Sequence, residues 1–257
     1  QPAGIAIPAL TLIALEEPEN NLSPFYLSRI VEQLGDVTKK SRAQALVSSH
    51  SSSILARVKP EQVRHFRLEP ATRSSIVSEI NLPASTEDPG KYLREAVHAY
   101  PELYFARFVI LGEGASEEIV IPRIAKAMGL PIDRSFVAIV PLGGRHINHL
   151  WKLLNDLSVP HATLLDLDFG RHGGGWGRIK YVCSQLLKIG KTVGEVFGES
   201  QNGNDAQALL SGFDAAEYDP ENLKKLHTWP THLAKFGVYF SSPLDLDWAM
   251  LTQFPEE

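Results

Sequence analysis

A single cysteine, Cys183, in a chain of 257 residues excludes an internal disulfide and any cysteine-rich zinc site, and makes a reducing cytoplasm the expected compartment. On its apolar helical pattern Cys183 reads as buried and inert. Long hydrophobic runs are missing as well. No uninterrupted apolar stretch approaches the ~20 residues needed to cross a bilayer, and no basic leader with a cleavage site precedes the first apolar segment, so no membrane partner is expected. Basic charge is not in excess: 25 Lys and Arg against 30 Asp and Glu give a net charge of −5, which argues against a basic nucleic-acid scaffold. Acids devoted to metal ions inflate that negative count, however, and DNA stays open as a partner. Methionine does not open the chain; Gln1 does, and the expectation is a piece of a longer protein. Repeats and low-complexity tracts are absent.

What remains is enough apolar sequence, 44% of residues against 21% charged, to bury a core, at a length near the boundary between one domain and two. The first apolar run, Leu10 to Leu15, ends in Glu16, Glu17 and Pro18, and a helical stretch follows from Ser23 to about Val37. Asn21 or Ser23 suits its cap, and Pro24 its first turn. Gln44 to Ser49 reads as a second strand with His50 directly after it, and Ser51 to Val58 as a helix ended before Pro60. Val63 to Leu68 and Ser75 to Asn81 suggest a hairpin or two edge strands. The segment PASTEDPG, Pro83 to Gly90, is the best linker and sets a domain boundary, and Lys91 to Phe105 reads as an amphipathic helix leading into the second part.

Beyond it the elements alternate. Strand Phe108 to Leu111, helix Ser116 to Met128, strand Phe136 to Val140, helix His146 to Leu157 and strand Ala162 to Leu167 imply parallel strands joined by right-handed crossovers. Gly129 and Pro131 mark the end of the first helix. The glycine-rich loop Gly170 to Gly177, a helix over Ile179 to Ile189, a polar segment around Gln201 to Asp205 and a last strand Gly237 to Ser241 complete the pattern.

Two of these strands end abruptly in carboxylates: Glu113 and Glu117 after the first, Asp166 and Asp168 at the third. In α/β sheets the carboxyl ends of parallel strands converge on one crevice, where ligands bind. Gly112 and Gly114 let the chain turn beside Glu113, and Glu117 lies one helical turn further along the same face. Asp166 and Asp168, two apart, share one face of an ideal strand. Clustered carboxylates repel unless a cation neutralises them, and oxygen ligands suit Mg²⁺ or Mn²⁺. Two such ions clamp the attacking and leaving oxygens in phosphoryl displacement. Taken singly, Glu117 and Glu118 would also complement a helix dipole, and Asp245 and Asp247 would form turns. Arg171, His172, Arg178 and Lys180, beside the cluster, are candidate contacts for DNA phosphate, or a solvated loop. The four tryptophans read as core or interface anchors.

The run LGEGASEE, then PLGG at Pro141 to Gly144, then LLDLDFG, resembles a Toprim domain, the fold of topoisomerases, bacterial primases and several nucleases. LIALEEPENNLSP at Leu12 to Pro24, with ALVSSHSSSIL at Ala45 to Leu55, resembles the Walker B, D-loop and switch-histidine elements of ABC-type ATPases. The two together resemble the OLD family of nucleases, named for overcoming lysogenization defect, and the nuclease of Gabija phage-defence systems. The resemblance implies residues 1–84 as the C-terminal portion of an ABC-type ATPase and residues 91–257 as a Toprim nuclease domain, an α/β fold with a mostly parallel central sheet flanked by helices. It implies cleavage of DNA with two Mg²⁺ or Mn²⁺ ions on Glu113, Glu117, Asp166 and Asp168, with Asp245, or less readily Asp247, at the later acidic position. Glu16 would position nucleotide-bound Mg²⁺, Glu17 would activate water and His50 would sense the γ-phosphate. ATP is expected to act only in the full-length protein, which would pair as ABC-type ATPases do.

Departures from that pattern matter. No GxxxxGK[ST] loop and no evident ABC signature occurs, so ATP hydrolysis by this chain alone is not expected. The lysine that relatives use downstream of the last acidic motif has no counterpart before Glu257. Rival readings are a Toprim module of a topoisomerase or primase, whose other parts are not visible here, and a non-catalytic recombination mediator, against which the intact acids speak.

Overall fold

Most of the apolar runs bounded by acids, glycine and proline become strands in the computed structural model, which describes residues 9–40, 42–55, 57–69, 71–80, 99–130, 132–142, 147–216 and 225–254. The expected linker at 83–90, most of the expected lead-in helix, and Gly143 and Gly144 lie outside the described residues. The chain divides into two units, Gln1–Phe105 and Ala106–Glu257.

In the first unit, β1 (Thr11–Glu16) and β2 (Ala43–Ser48) pair in parallel, with Glu16 opposite Ser48, and α1 (Pro24–Lys40) connects them. Pro24 stands at the first helical position, where its missing N–H costs nothing. Helix α2 (Ser52–Leu55) is shorter than the expected Ser51 to Val58. Past Leu55 the backbone bonds run three residues back, Arg57 N to the Ile54 carbonyl and Val58 N to the Leu55 carbonyl, and Lys59 before Pro60 is extended at φ −71°, ψ 138°. Strands β3 (Arg64–Leu68) and β4 (Ser75–Glu79) form an antiparallel hairpin, of the two arrangements left open by the sequence.

The second unit is built on four parallel strands, β5 (Phe108–Gly112), β6 (Val137–Pro141), β7 (His161–Asp166) and β8 (Val238–Ser241), in the order β6-β5-β7-β8. Helices α3 (Ala115–Ala127) and α4 (Ile147–Asp156) make the crossovers from β5 to β6 and from β6 to β7. Ile147, Leu150, Trp151 and Leu154, spaced three and four apart, give α4 one apolar stripe, and all are buried. The Trp151 Nε1–H donates to Thr163 Oγ1 at 2.8 Å, fastening that helix to β7. Gly129, at φ 74°, ends α3 in a left-handed residue, and the Leu130 N–H reaches back to the Ala125 carbonyl at 2.8 Å.

Helix α5 (Trp176–Lys188) follows β7 and buries Ile179, Val182, Cys183 and Leu186 along one side. Burial pushes the Cys183 thiol up to about 12, in keeping with the inert role expected. Among the described residues four helices were not anticipated: α6 (Val193–Phe197), α7 (Ala206–Ala216), α8 (Thr228–Leu233) and α9 (Leu246–Gln253). Each is short or interrupted by glycine or proline, and so lacks the length over which a periodic pattern becomes legible. No helix among the described residues is long and apolar enough to cross a membrane.

Candidate functional site

Strands β5 and β7 are neighbours and parallel, so their carboxyl ends lie side by side. The Glu113 carboxylate, just past β5, accepts the Asp166 backbone N–H at 2.9 Å through Oε2. Glu117 lies in the first turn of α3 and is 2% exposed, with Oε2 accepting the Gly114 N–H at 2.8 Å. That close return requires Gly112: a Cβ there would meet Glu117 Cβ at 2.5 Å and Cγ at 2.7 Å.

Asp166, the last residue of β7, accepts the Ser241 hydroxyl at 2.6 Å and the Leu246 N–H at 3.2 Å, both through Oδ1. Asp168 reaches the cluster by a route other than the strand alternation expected. The strand has ended, and Asp168 turns with a left-handed φ of 51°. Hydrogen bonds from Asp168 N to the Leu244 carbonyl at 2.9 Å and from Gly175 N to the Leu167 carbonyl at 2.7 Å hold this turn. Gly174 is equally constrained, because a Cβ would lie 1.8 Å from the Asp168 carbonyl oxygen.

Electrostatics divide the cluster. Burial pushes Glu117 above its ordinary carboxylate value, and the negative charges of Asp166 and Glu113 push the same way. Asp166 is likewise raised, first by burial, with Glu113 and Asp168 adding to it against the Ser241 and Leu246 hydrogen bonds. Neither Asp166 Oδ2 nor Glu117 Oε1 accepts a hydrogen bond from another described residue. A hard divalent cation suits that oxygen-only, self-repelling end.

At the other end cations are already supplied by the protein. Arg178 Nη2 donates to Glu113 Oε1 at 2.8 Å and also contacts Asp168 Oδ2, to which Nε donates at 3.2 Å. Arg171 joins Asp168 Oδ1 to Asp245 Oδ2, each at 2.7 Å. Asp245 also caps α9, accepting the Trp248 N–H at 2.7 Å; that bond, with Arg171, holds it below its usual range. Among the described residues no group of three or more His, Cys, Asp or Glu side chains stands ready to hold a metal ion, and Arg171 and Arg178 lie between Asp168 and its acidic neighbours. Lys180 pairs instead with Asp214, and His172 is exposed. Asp247 follows in the first turn of α9.

In the first unit, Glu17 and His50 meet at the carboxyl ends of β1 and β2, with His50 Nδ1 3.4 Å from Glu17 Oε1. Glu17 is held left-handed at φ 41° and accepts from Asn20 at 2.8 Å. Glu16, opposite Ser48, is exposed and joins neither. Glu19 is a member that sequence reasoning missed. Its Oε1 accepts the Ser49 hydroxyl at 2.7 Å and the His50 N–H at 2.9 Å; burial works against its charge, but these bonds prevail and hold it below its usual value. The only sequence signal was a third acid two residues beyond Glu17.

Residues 104–168 match the family described as overcoming lysogenization defect protein-like, TOPRIM domain. Residues 104–168 thus carry the likeness to an OLD-like Toprim domain. Residues 3–56 match a second family, described as AAA domain, putative AbiEii toxin, Type IV TA system, so an ATPase-like segment precedes the Toprim domain. Among solved structures, the C-terminal region of the Xanthomonas campestris pv. campestris OLD protein is similar at 21% identity over 60% of this chain and 59% of that one, with a TM-score of 0.39. The C-terminal region of the Burkholderia pseudomallei OLD protein is similar at 21% identity over 52% of this chain and 90% of that one, with a TM-score of 0.30. The likeness thus spans less than two thirds of the Xanthomonas chain. No curated protein matches.

Proposed function

We propose that the protein is a metal-dependent nuclease that hydrolyses DNA phosphodiesters, joined to an ATPase and serving phage defence or DNA processing in the cytoplasm. The observation that carries this reading is the Glu113 carboxylate, just past β5, bound to the Asp166 N–H at the end of the adjacent β7, with Glu117 in the helical turn that follows raised by burial and by the charges of both. Glu117 and Asp166, with Glu113 beside them, would hold Mg²⁺ or Mn²⁺. When bound, the ion supplies Lewis-acid stabilisation of phosphoryl oxygens and an acidified water. The protein's own part is positional. The Asp166 N–H orients Glu113, Ser241 and the Leu246 N–H orient Asp166, and the Gly114 N–H orients Glu117. A second ion, which Glu113 and Asp168 would hold with Asp245 beside them, completes the proposed site.

We take residues 1–84 as the ATPase-derived part and 91–257 as the nuclease part. Glu17 and His50 would then serve nucleotide chemistry, with Glu16 toward Mg²⁺, in a full-length protein that also contributes a phosphate-binding loop and self-associates. The test is a supercoiled-plasmid assay with Mg²⁺ or Mn²⁺ on the wild type and Asp166→Ala. Cutting by the wild type alone is expected, and equal cutting by both rejects the assignment.

A further inference from the structure

Arg178 joins two of the acids as a bridging cation would. Its Nη2 lies 2.8 Å from Glu113 Oε1 and touches Asp168 Oδ2 as well, joining the acid after β5 to the acid after β7. Nε adds a second bond to Asp168 Oδ2 at 3.2 Å, so two guanidinium nitrogens hold Asp168 while one of them also holds Glu113. The placement is built into the backbone. Gly174 admits the turn against the Asp168 carbonyl, and the Gly175 N–H pins the start of α5 to the end of β7, which sets Arg178 in the first helical turn beside the acids. Magnesium holds its oxygen ligands at about 2.1 Å. An ion bridging Glu113 Oε1 and Asp168 Oδ2 would therefore overlap a guanidinium already within hydrogen-bond distance of one and in contact with the other.

We propose that Arg178 is a built-in counter-cation occupying the seat of a second metal ion between Glu113 and Asp168, so that guanidinium and ion exclude one another there. The proposal rests on the nuclease reading above. Its consequence is an order of events: the resting protein takes one ion at the Glu117 and Asp166 end, and the second enters once a DNA phosphate draws Arg178 away. The side chain is a quarter exposed, within reach of such a phosphate, and guanidinium binds phosphate oxygens as readily as carboxylates. Binding of DNA and of the second ion are then reciprocally coupled.

The experiment counts Mn²⁺ ions bound by the intact protein, using the electron-spin resonance of free Mn²⁺, with and without a non-cleavable phosphorothioate duplex. Wild type without DNA is expected to bind one ion, and Arg178→Ala two, the second at least about 10-fold tighter than in wild type, since a unit charge at ion-pair distance has been removed. The duplex should raise the second-ion affinity of wild type and leave that of Arg178→Ala unchanged. Lys180→Ala, which removes a charge paired elsewhere, should behave as wild type; an equal gain there would reduce the effect to bulk charge and overturn the proposal. Should Arg178→Ala fail to fold, Arg178→Lys, which keeps the charge but loses the fork, is expected to bind the second ion with intermediate affinity. Two ions on wild type without DNA, or a single ion on the folded variant, overturns the proposal while leaving the nuclease reading intact. No Mn²⁺ on any protein removes both.

Discussion

Substituting Gly112 by alanine adds one methyl group and tests whether Glu117 is held where the site needs it. Gly112 does not have a positive φ, so alanine meets no backbone penalty and the effect is steric. The added carbon would lie 2.5 Å from Glu117 Cβ, 2.7 Å from Cγ and 3.3 Å from Cδ. The first of these atoms is fixed to α3 and cannot swing aside, so either the helix start or the strand end must move. Overpacking of this kind costs about 1–3 kcal/mol. At about 2–4 °C per kcal/mol for a domain of 150–250 residues, the melting temperature should fall by roughly 2–12 °C. Mn²⁺ affinity should fall with it, because the buried carboxylate is displaced. Gly177→Ala is the control: a Cβ there meets nothing within 4 Å and lies in the first turn of α5, where alanine is favoured over glycine by up to about 1 kcal/mol. Thermal melts followed by circular dichroism, with Mn²⁺ titration alongside, separate the two. A Gly112→Ala protein that melts with wild type and binds Mn²⁺ equally well would refute the packing argument.

Two further outcomes are expected. Glu117 has its folded pKa raised, so its contribution to stability is intact below the ordinary carboxylate value of 4.5 and is lost as pH rises through the shifted value. Urea melts of the metal-free protein should show stability falling as pH rises above 4.5, Glu117→Gln should remove part of that fall, and parallel profiles for the two proteins would contradict the burial of a strained charge. Trp151→Phe strips the buried Thr163 hydroxyl of its partner and should cost about 1–3 kcal/mol in the same melts, while leaving Mn²⁺ binding unchanged; a loss of binding would mean that this bond supports the acids as well as the core.

Several elements were legible because their signals are local. The runs that became β5 and β7 end in acids within a residue or two of the expected positions, and Gly129 closes α3 as a left-handed glycine should. Alternation of strand and helix implied parallel pairing, and the pairing is parallel. The helices after Lys188 were not legible, because each is too short to declare a period or is interrupted by glycine or proline. Asp168 joined the cluster as expected, but through a left-handed turn rather than the face of a strand.

Sequence by itself determined which residue types the site would contain, since acids at strand ends and the glycines beside them are local choices set by backbone geometry. Only the tertiary structure decided how those charges are balanced. Arg171 and Arg178 carry no sequence mark that separates an ion pair from a solvated side chain, and neither does Glu19 beneath His50. Their partners are brought to them by strand order and by the turn at Gly174, and Coulomb attraction depends on distances that linear spacing does not contain.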